Sequence, residues 1–553
     1  MKCRIVLKDE VNCKVEGLDV NTRRKCEKEL KFFLPYAFHV PAYKLGRWDG
    51  CQSYFTVGGV TYTNLLDKVL PIIMAEGYEI DVEDLRTSYD LSFDIVDETT
   101  FQHKLWPAKH QMEGQPVTLR DYQIDIVNKY LETPHCLQEI ATGAGKTLIT
   151  AALSERVEKY GRSIVIVPNK DLVKQTAADY ENLGLDVGVY YGDKKELGKA
   201  HTICTWQSLN SIKKRFRDGL SELSLADFAE DVICVIVDEV HQAKADVLKE
   251  LLTKEFAKIP LRWGLTGTIP KAEHEKVCLQ ACLGEVTNRL SASTLQEMDV
   301  LSQCHVNVVQ MKEFAVYNNY QSELSYLTTD KSRIKHISGL IDKISKSGNT
   351  LVLVDRIKGG QMICENLPHA NFVSGEMKTT TRKDHYDDIN EGTNQIVVAT
   401  YGVAAVGINI PRIFNLVLIE PGKSFVRVIQ SIGRGIRKAE AVLKIGDYSI
   451  TMPLDWSIVI CDPSVGDPEV VSLMSLNDRG FSVFAFNPIT GFTPKYLDIS
   501  ITNIYTDVKW YAPKLKFGHL LNVPLHDGAN PPCVLFVKES NKLPEVLDIS
   551  ELW

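Results

Sequence analysis

No run of apolar residues in this 553-residue chain approaches the roughly 20 that a helix needs to cross a bilayer. The N-terminus is no secretion signal either, because Met-Lys-Cys-Arg-Ile-Val-Leu-Lys-Asp carries charge too early and too often. Zinc-ligand spacing is missing as well. The 13 cysteines are scattered, and the one close pair, Cys278 and Cys282, has no second pair or histidines at the right distance, which favours buried thiols over a metal. There is no low-complexity tract and no short-period repeat. Nor is there an excess of positive charge: the net formal charge is −8, which excludes a uniformly basic DNA-coating protein. It leaves room for nucleic-acid contacts confined to one face. The expectation is a cytoplasmic protein with no membrane association. At about 150 residues per domain, the length allows about three or four domains.

Charge is unevenly spread. The first fifty residues hold 11 Lys and Arg against 7 Asp and Glu, whereas residues 51–113 hold 4 against 11. A basic N-terminal face and an ordinary solvated surface both fit this pattern.

Residues 1–108 read as a small α/β module, with strands at Arg4-Ile-Val-Leu and Gln52-Ser-Tyr-Phe-Thr-Val and a helix over 64–77 that stops at Gly77. Pro107, Gly114 and Pro116 mark a linker. From Leu119 short β-branched runs alternate with amphipathic segments, the pattern of a parallel sheet flanked by helices. Strands are expected at His135–Ile140, Ser163–Val167, Val187–Tyr191, Thr202–Thr205, Val232–Val237 and Trp263–Leu265, in a domain spanning 115–295. A second series, Thr350–Val354, Phe372–Val373, Ile396–Ala399, Leu416–Ile419 and Trp456–Cys461, suggests a similar domain over 335–464, with a hinge near 300–345. Residues 465–553 change texture and read as a β-rich appendage, with alternating segments such as Phe481–Phe486 and Val534–Val537.

Three motifs carry the chemistry. Ala141-Thr142-Gly143-Ala144-Gly145-Lys146-Thr147 lies between an expected strand and an expected helix. Its small residues let backbone N–H groups wrap phosphates at a helix N-terminus, Lys146 neutralises phosphate charge, and the Thr147 hydroxyl holds Mg²⁺. Ile140 departs from the usual Gly or Ala at its position. Asp238 and Glu239 follow the all-apolar run Val232–Val237, which puts both carboxylates where a parallel sheet binds ligands. Asp238 would hold Mg²⁺ through water and Glu239 would act as general base; the other reading is a solvated acidic turn. Finally, Gln430-Ser-Ile-Gly433-Arg434-Gly-Ile-Arg437 places two arginines three apart, on one face of a helix. They can reach a γ-phosphate as arginine fingers, or they can form a basic surface stripe.

With these motifs the chain resembles the superfamily 2 helicases, and further matches follow in order. Leu119-Arg-Asp-Tyr122-Gln123 looks like the motif whose Gln reads adenine. Val167-Pro168-Asn169 through Gln175 and Thr202–Thr205-Trp-Gln-Ser208 look like the motifs that grip phosphates of a nucleic-acid strand, and Thr266-Gly267-Thr268 like the one that links hydrolysis to domain movement. Phe372-Val-Ser374-Gly375-Glu376, Ala399-Thr400-Tyr-Gly402 and Gly407-Ile-Asn409 continue the series. Residues 30–440 are similar more narrowly to the UvsW family of phage helicases, including the turn Arg47-Trp48-Asp49-Gly50. Trp48 could serve there as a core anchor or, with Arg47, as a DNA contact.

The resemblance implies two tandem RecA-like parallel-sheet domains with the N-terminal α/β module and the β-rich appendage attached. It implies ATP and Mg²⁺ as cofactors and ATP-driven remodelling of branched or duplex DNA, and of RNA–DNA hybrids, in the host cytoplasm if the chain is phage-encoded. Two rivals stay open: a duplex translocase of a restriction-type complex, although no nuclease motif is evident, and a nucleotide-gated DNA clamp with little motor activity.

Overall fold

The computed structural model describes residues 1–107, 114–242, 245–298, 300–301, 309, 317, 319–374, 394–402 and 413–419, together with eight short strands between 440 and 537. It divides into two compact units, Met1–Ser291 and Ala292–Trp553.

The first unit opens on a four-stranded sheet in the order Val60–Tyr62, Asn12–Glu16, Lys2–Leu7, Glu79–Asp84. Alternation puts Cys3, Ile5, Cys13 and Val15 inward. The Val20–Glu29 helix is capped by the Asp19 carboxylate, which accepts from the Asn21 and Thr22 N–H groups and from the Tyr78 hydroxyl. The Leu66–Ala75 helix stops before Gly77, whose φ of 75° is the left-handed value of a helix end.

Next comes an eight-stranded sheet in the spatial order Lys194–Lys195, Val187–Tyr191, His201–Thr205, Arg162–Val167, Val232–Val237, Leu261–Thr266, His135–Ile140, Glu285–Leu290. All neighbours are parallel except the outermost Lys194–Lys195 pair. The central strands are buried along their length, save for Arg162 at the start of one, as a sheet covered on both faces requires.

The two sheets share a core. Val277, Cys278 and Ala281, on the helix Glu273–Leu283, pack with Ile5, Val15, Leu30, Phe55, Val69 and Ile73 of the N-terminal module. Polar bonds fasten the seam: Glu10 N–H to the Ala257 carbonyl at 3.0 Å, Asn12 Nδ2 to the Thr253 carbonyl at 2.8 Å, and the Tyr54 hydroxyl to the His274 carbonyl at 3.1 Å. Residues ahead of the expected linker are tied down too. Asn128 pairs with both the N–H and the C=O of Val96, and the Phe93 ring meets Trp263 edge-on. The Pro107–Pro116 stretch therefore does not divide independent bodies; Leu105 and Pro116 form a β-bridge across it. Cys278 and Cys282 are buried free thiols.

In the second unit the strands Ala370–Val373, Ile396–Thr400, Thr350–Val354 and Asn415–Leu418 form a parallel sheet in that order. The helices Lys331–Ser345 and Ile357–Asn366 pack on it through Ile334, Ile337, Ile341 and Ile363. Ser457–Cys461, expected in this parallel series, instead pairs antiparallel with Ser482–Phe486. The β-rich region thus begins earlier than expected, with the antiparallel pair Glu440–Ile445 and Tyr448–Pro453.

Among the described residues, Arg262 is the one charged side chain fully buried in the large sheet's core. Its guanidinium donates to the carbonyls of Cys282 (2.9 Å), Phe256 (2.5 Å) and Leu252 (2.6 Å). Arg262→Ala would strand three buried carbonyls, each costing about 1–3 kcal/mol. The expected outcome is a loss of at least about 3 kcal/mol in denaturant unfolding of the first unit; a change below about 1 kcal/mol would mean that water satisfies those carbonyls.

Candidate nucleotide and strand site

Because the large sheet is parallel, every loop that follows a strand leaves from one edge. After His135–Ile140 comes the phosphate loop, after Val232–Val237 the pair Asp238 and Glu239, and after Leu261–Thr266 the residues Gly267 and Thr268. These three strands are adjacent in the sheet. The next two, Arg162–Val167 and His201–Thr205, deliver Pro168 and Asn169, and Thr205 and Ser208. Nucleotide-side residues thus occupy one half of the edge and strand-gripping candidates the other.

The loop is shaped for an anion. Gly143 and Gly145 have φ of 91° and 81°, values that only glycine adopts without strain. Ala144 turns its N–H inward to the Ala141 carbonyl, whereas among the described residues the N–H groups of Gly143, Gly145, Lys146 and Thr147 have no acceptor. Four open donors at the start of the Lys146–Glu158 helix fit a polyphosphate. Tyr122 and Gln123 brace the loop from below: the hydroxyl and the amide both donate to the Ala144 carbonyl, at 3.2 and 2.9 Å. The Gln123 Oε1 accepts from the Arg120 N–H at 2.9 Å, so its amide is engaged at both ends with backbone.

Lys146 Nζ lies 2.7 Å from Glu239 Oε1, and both side chains are nearly buried. Burial alone would raise the Glu239 pKa, but the Lys146 charge brings the carboxyl below its ordinary range. Glu239 has φ 50°, a left-handed value that costs a non-glycine residue on the order of 1–3 kcal/mol. Its N–H is held by Asp238 Oδ1 at 2.9 Å, and its Oε2 accepts from the Gly267 N–H at 3.4 Å.

His241 joins the same network. Its Nδ1 is 2.5 Å from Thr266 Oγ1 and 3.5 Å from Glu239 Oε2. Burial lowers its pKa, so the ring is neutral at neutral pH. The single Thr266 hydroxyl proton is given to the Thr268 carbonyl, so Nδ1 must carry the ring proton. Glu239, His241 and the Thr266–Thr268 turn are therefore joined in one polar network.

On the strand side, the Asn169 side chain caps the Lys170–Asn182 helix and Thr205 caps the Trp206–Arg217 helix, with Ser208 Oγ 2.9 Å from Thr205 Oγ1. Gln175 is exposed. Gln207, not singled out by sequence, donates to the Pro168 carbonyl at 3.3 Å and links the two motifs. Glu139 was likewise missed; it accepts from the Ile269 N–H and braces the turn after Thr268. In the second unit the register pairs Val373 with Ala399, so Ser374 and Thr400 stand at neighbouring strand ends. Gly375, Gly407, Gln430, Arg434 and Arg437 lie outside the described residues. Arg47 is exposed, and the Trp48 indole is half-buried, donating to the Cys51 carbonyl at 2.9 Å.

Residues 116–271 match the family described as type III restriction enzyme, res subunit, and residues 332–439 match the helicase conserved C-terminal domain. The ATP-dependent DNA helicase UvsW of Enterobacteria phage T4 is 24% identical over 426 residues, which cover 73% of this chain and 81% of UvsW. This chain carries helicase domains and is similar to the superfamily 2 helicases. The helicase resembles UvsW over most of its length, and it is 25% identical over 180 residues to the DNA 3′–5′ translocase XPB2 of Sulfurisphaera tokodaii, covering 32% of this chain and 37% of that protein. The crystal structure of T4 UvsW aligns with 79% of this chain and 87% of that one, with 19% identity and a TM-score of 0.42.

Glu239→Gln should lower kcat for ATP hydrolysis by about 10²–10⁴ without weakening ATP binding, as removal of a general base does. With Glu239 as the general base, hydrolysis would need its carboxylate form and would fail as pH falls through its pKa. Lys146 lowers that pKa in the free enzyme. Once Lys146 turns to phosphate, the pKa rises. The acid limb of kcat should therefore lie at higher pH than that of kcat/KM. Coincident limbs in steady-state profiles would mean that Lys146 stays on Glu239.

Proposed function

We propose that this helicase uses ATP to remodel branched DNA by branch migration, fork regression and removal of RNA from R-loops. The observation that carries the reading is the division of one sheet edge between a phosphate cradle and a row of strand-gripping candidates. Motion at one half is then felt at the other through shared strands. The helicase likeness to UvsW, whose name specifies DNA, supports the substrate class.

Lys146 and the four open N–H groups would hold the triphosphate, Thr147 and Asp238 would hold Mg²⁺, and Glu239 would take the proton of the attacking water. Bound Mg²⁺ supplies charge neutralisation to the phosphates. Arg434 and Arg437, with Gln430 beside them, are proposed to stabilise charge on the γ-phosphate, and Gly407 to line the nucleotide. Pro168, Asn169, Gln175, Thr205 and Ser208, with Ser374, Gly375 and Thr400, are proposed to hold backbone phosphates.

Energetics favour branched substrates. Stripping a duplex costs about 1.4 kcal/mol per step, whereas moving a junction breaks one pair as it forms another, so ATP mainly supplies direction. A second reading, a duplex translocase within a restriction-type complex, draws on the matched restriction-subunit family.

A mobile four-way junction and a simple partial duplex, each incubated with ATP, separate these readings. Strand separation should be efficient for the junction and poor for the duplex, and absent for Lys146→Ala. DNA-stimulated hydrolysis with neither substrate separated would favour the translocase. Hydrolysis that ignores DNA would favour the nucleotide-gated clamp.

A further inference from the structure

The residues from Lys31 to Trp48 hold six aromatic side chains, three Lys and Arg, and no Asp or Glu, in a chain whose net charge is −8. They form a ribbon in which Lys31–Phe33 pairs with Cys51–Ser53 and two short helices, Pro35–His39 and Pro41–Lys44, span the gap. The strand alternates: Phe32 turns toward Tyr54 and the shared core, while Phe33 points out.

Outside, the rings of Phe33, Phe38 and Tyr43 close a triangle. Their centroids are 5.3 Å (Phe33–Phe38), 5.4 Å (Phe38–Tyr43) and 5.8 Å (Phe33–Tyr43) apart, with tilted or edge-to-face planes. Tyr43 in turn meets the Trp48 ring at 6.5 Å. Gly50 is seated so closely beneath that a Cβ there would stand 2.6 Å from the Phe33 ring and 2.8 Å from Tyr43. The rings are thus positioned by the backbone. Yet Phe33 is 42% exposed, Tyr36 49%, Phe38 57% and neighbouring Leu45 65%.

An apolar patch of this kind needs an occupant. Charge decides which. Lys44 and Arg47 are exposed and carry no ion pair among the described residues, whereas the acid that follows them, Asp49, is held by Lys31 at 2.8 Å. Aromatic faces flanked by unpaired cations suit a polyanion that carries flat rings. A duplex keeps its base faces stacked inside, so the chemistry selects unpaired bases. We propose that the Phe33–Phe38–Tyr43 platform, with Tyr36 at its rim and Lys44 and Arg47 beside it, is a stacking site for single-stranded DNA on the N-terminal module. This rests on the DNA reading above and adds to it the structure that the module would hold at a branch: exposed bases of an unpaired segment.

The test uses the full chain, because the module shares its core with the first parallel-sheet domain. A short oligothymidylate carrying 5-iodouracil is cross-linked by irradiation without ATP and the site is mapped by mass spectrometry. Affinities for oligothymidylate and for an abasic oligomer of equal length are measured beside it. Cross-links should fall within residues 33–48. The double variant Tyr36→Ala/Phe38→Ala should bind oligothymidylate about five- to hundredfold more weakly, the cost of one or so lost stacking contacts, and bind the abasic oligomer unchanged. Its circular-dichroism spectrum and thermal melting should match wild type, which shows that it is folded.

Cross-links confined to the large sheet's edge, with oligothymidylate affinity unchanged in the variant, would overturn the platform while leaving the helicase a DNA enzyme. Self-association of wild type that the variant abolishes would also overturn it, by assigning the patch to a second copy. If no DNA stimulates hydrolysis by wild type, the DNA reading fails first and the platform with it.

Discussion

A parallel sheet imposes one constraint from which most of this molecule follows: the chain can leave its strands for ligand-binding loops on a single edge only. Seven strands of the first unit obey it. The chain order of the motifs is then irrelevant to their spacing in the fold, because strand order, not sequence, sets who is adjacent. The loop at 141–147 and the carboxylates at 238 and 239 are nearly a hundred residues apart, yet their strands are separated by only Leu261–Thr266. That intervening strand ends in the Thr266–Thr268 turn, which is bonded to Glu239 through Gly267 and to His241 through Thr266.

Within this frame the Lys146–Glu239 pair acts as a latch. It keeps a buried acid and a buried base from standing unpaired, which would be costly. A phosphate that drew the lysine away would free the Glu239 carboxylate. The left-handed backbone at Glu239 is the strain that points its carboxylate at both partners.

Legibility in the sequence tracked how each strand is buried. Val187–Tyr191, Val232–Val237, His135–Ile140 and Thr350–Val354 match their expected spans, because strands covered on both faces read as unbroken apolar runs or end at sharp motifs. Asn12–Glu16 and Glu79–Asp84 escaped notice because their outward faces are charged. Leu261–Thr266 was expected to be shorter, since an arginine at 262 reads as surface until its three carbonyl partners are known. Ser457–Cys461 shows a different failure: an apolar run marks a strand but not which sheet receives it. Of the candidate site, the position of the loop and of both carboxylates at strand ends was readable from spacing. The inward engagement of Gln123 and the capping roles of Asn169 and Thr205 were not, because they depend on the hydrogen bonds that a short polar side chain finds locally.

The helix Glu273–Leu283 gives Val277, Cys278 and Ala281 to the core of the N-terminal module while Leu279, Cys282 and Leu283 pack with the large sheet. One rod is thereby clamped between two bodies. A load applied at the outer ribbon passes into the nucleotide-binding lobe as it would through a welded joint. The first ninety residues are thus built as a handle on that lobe rather than a tether to it.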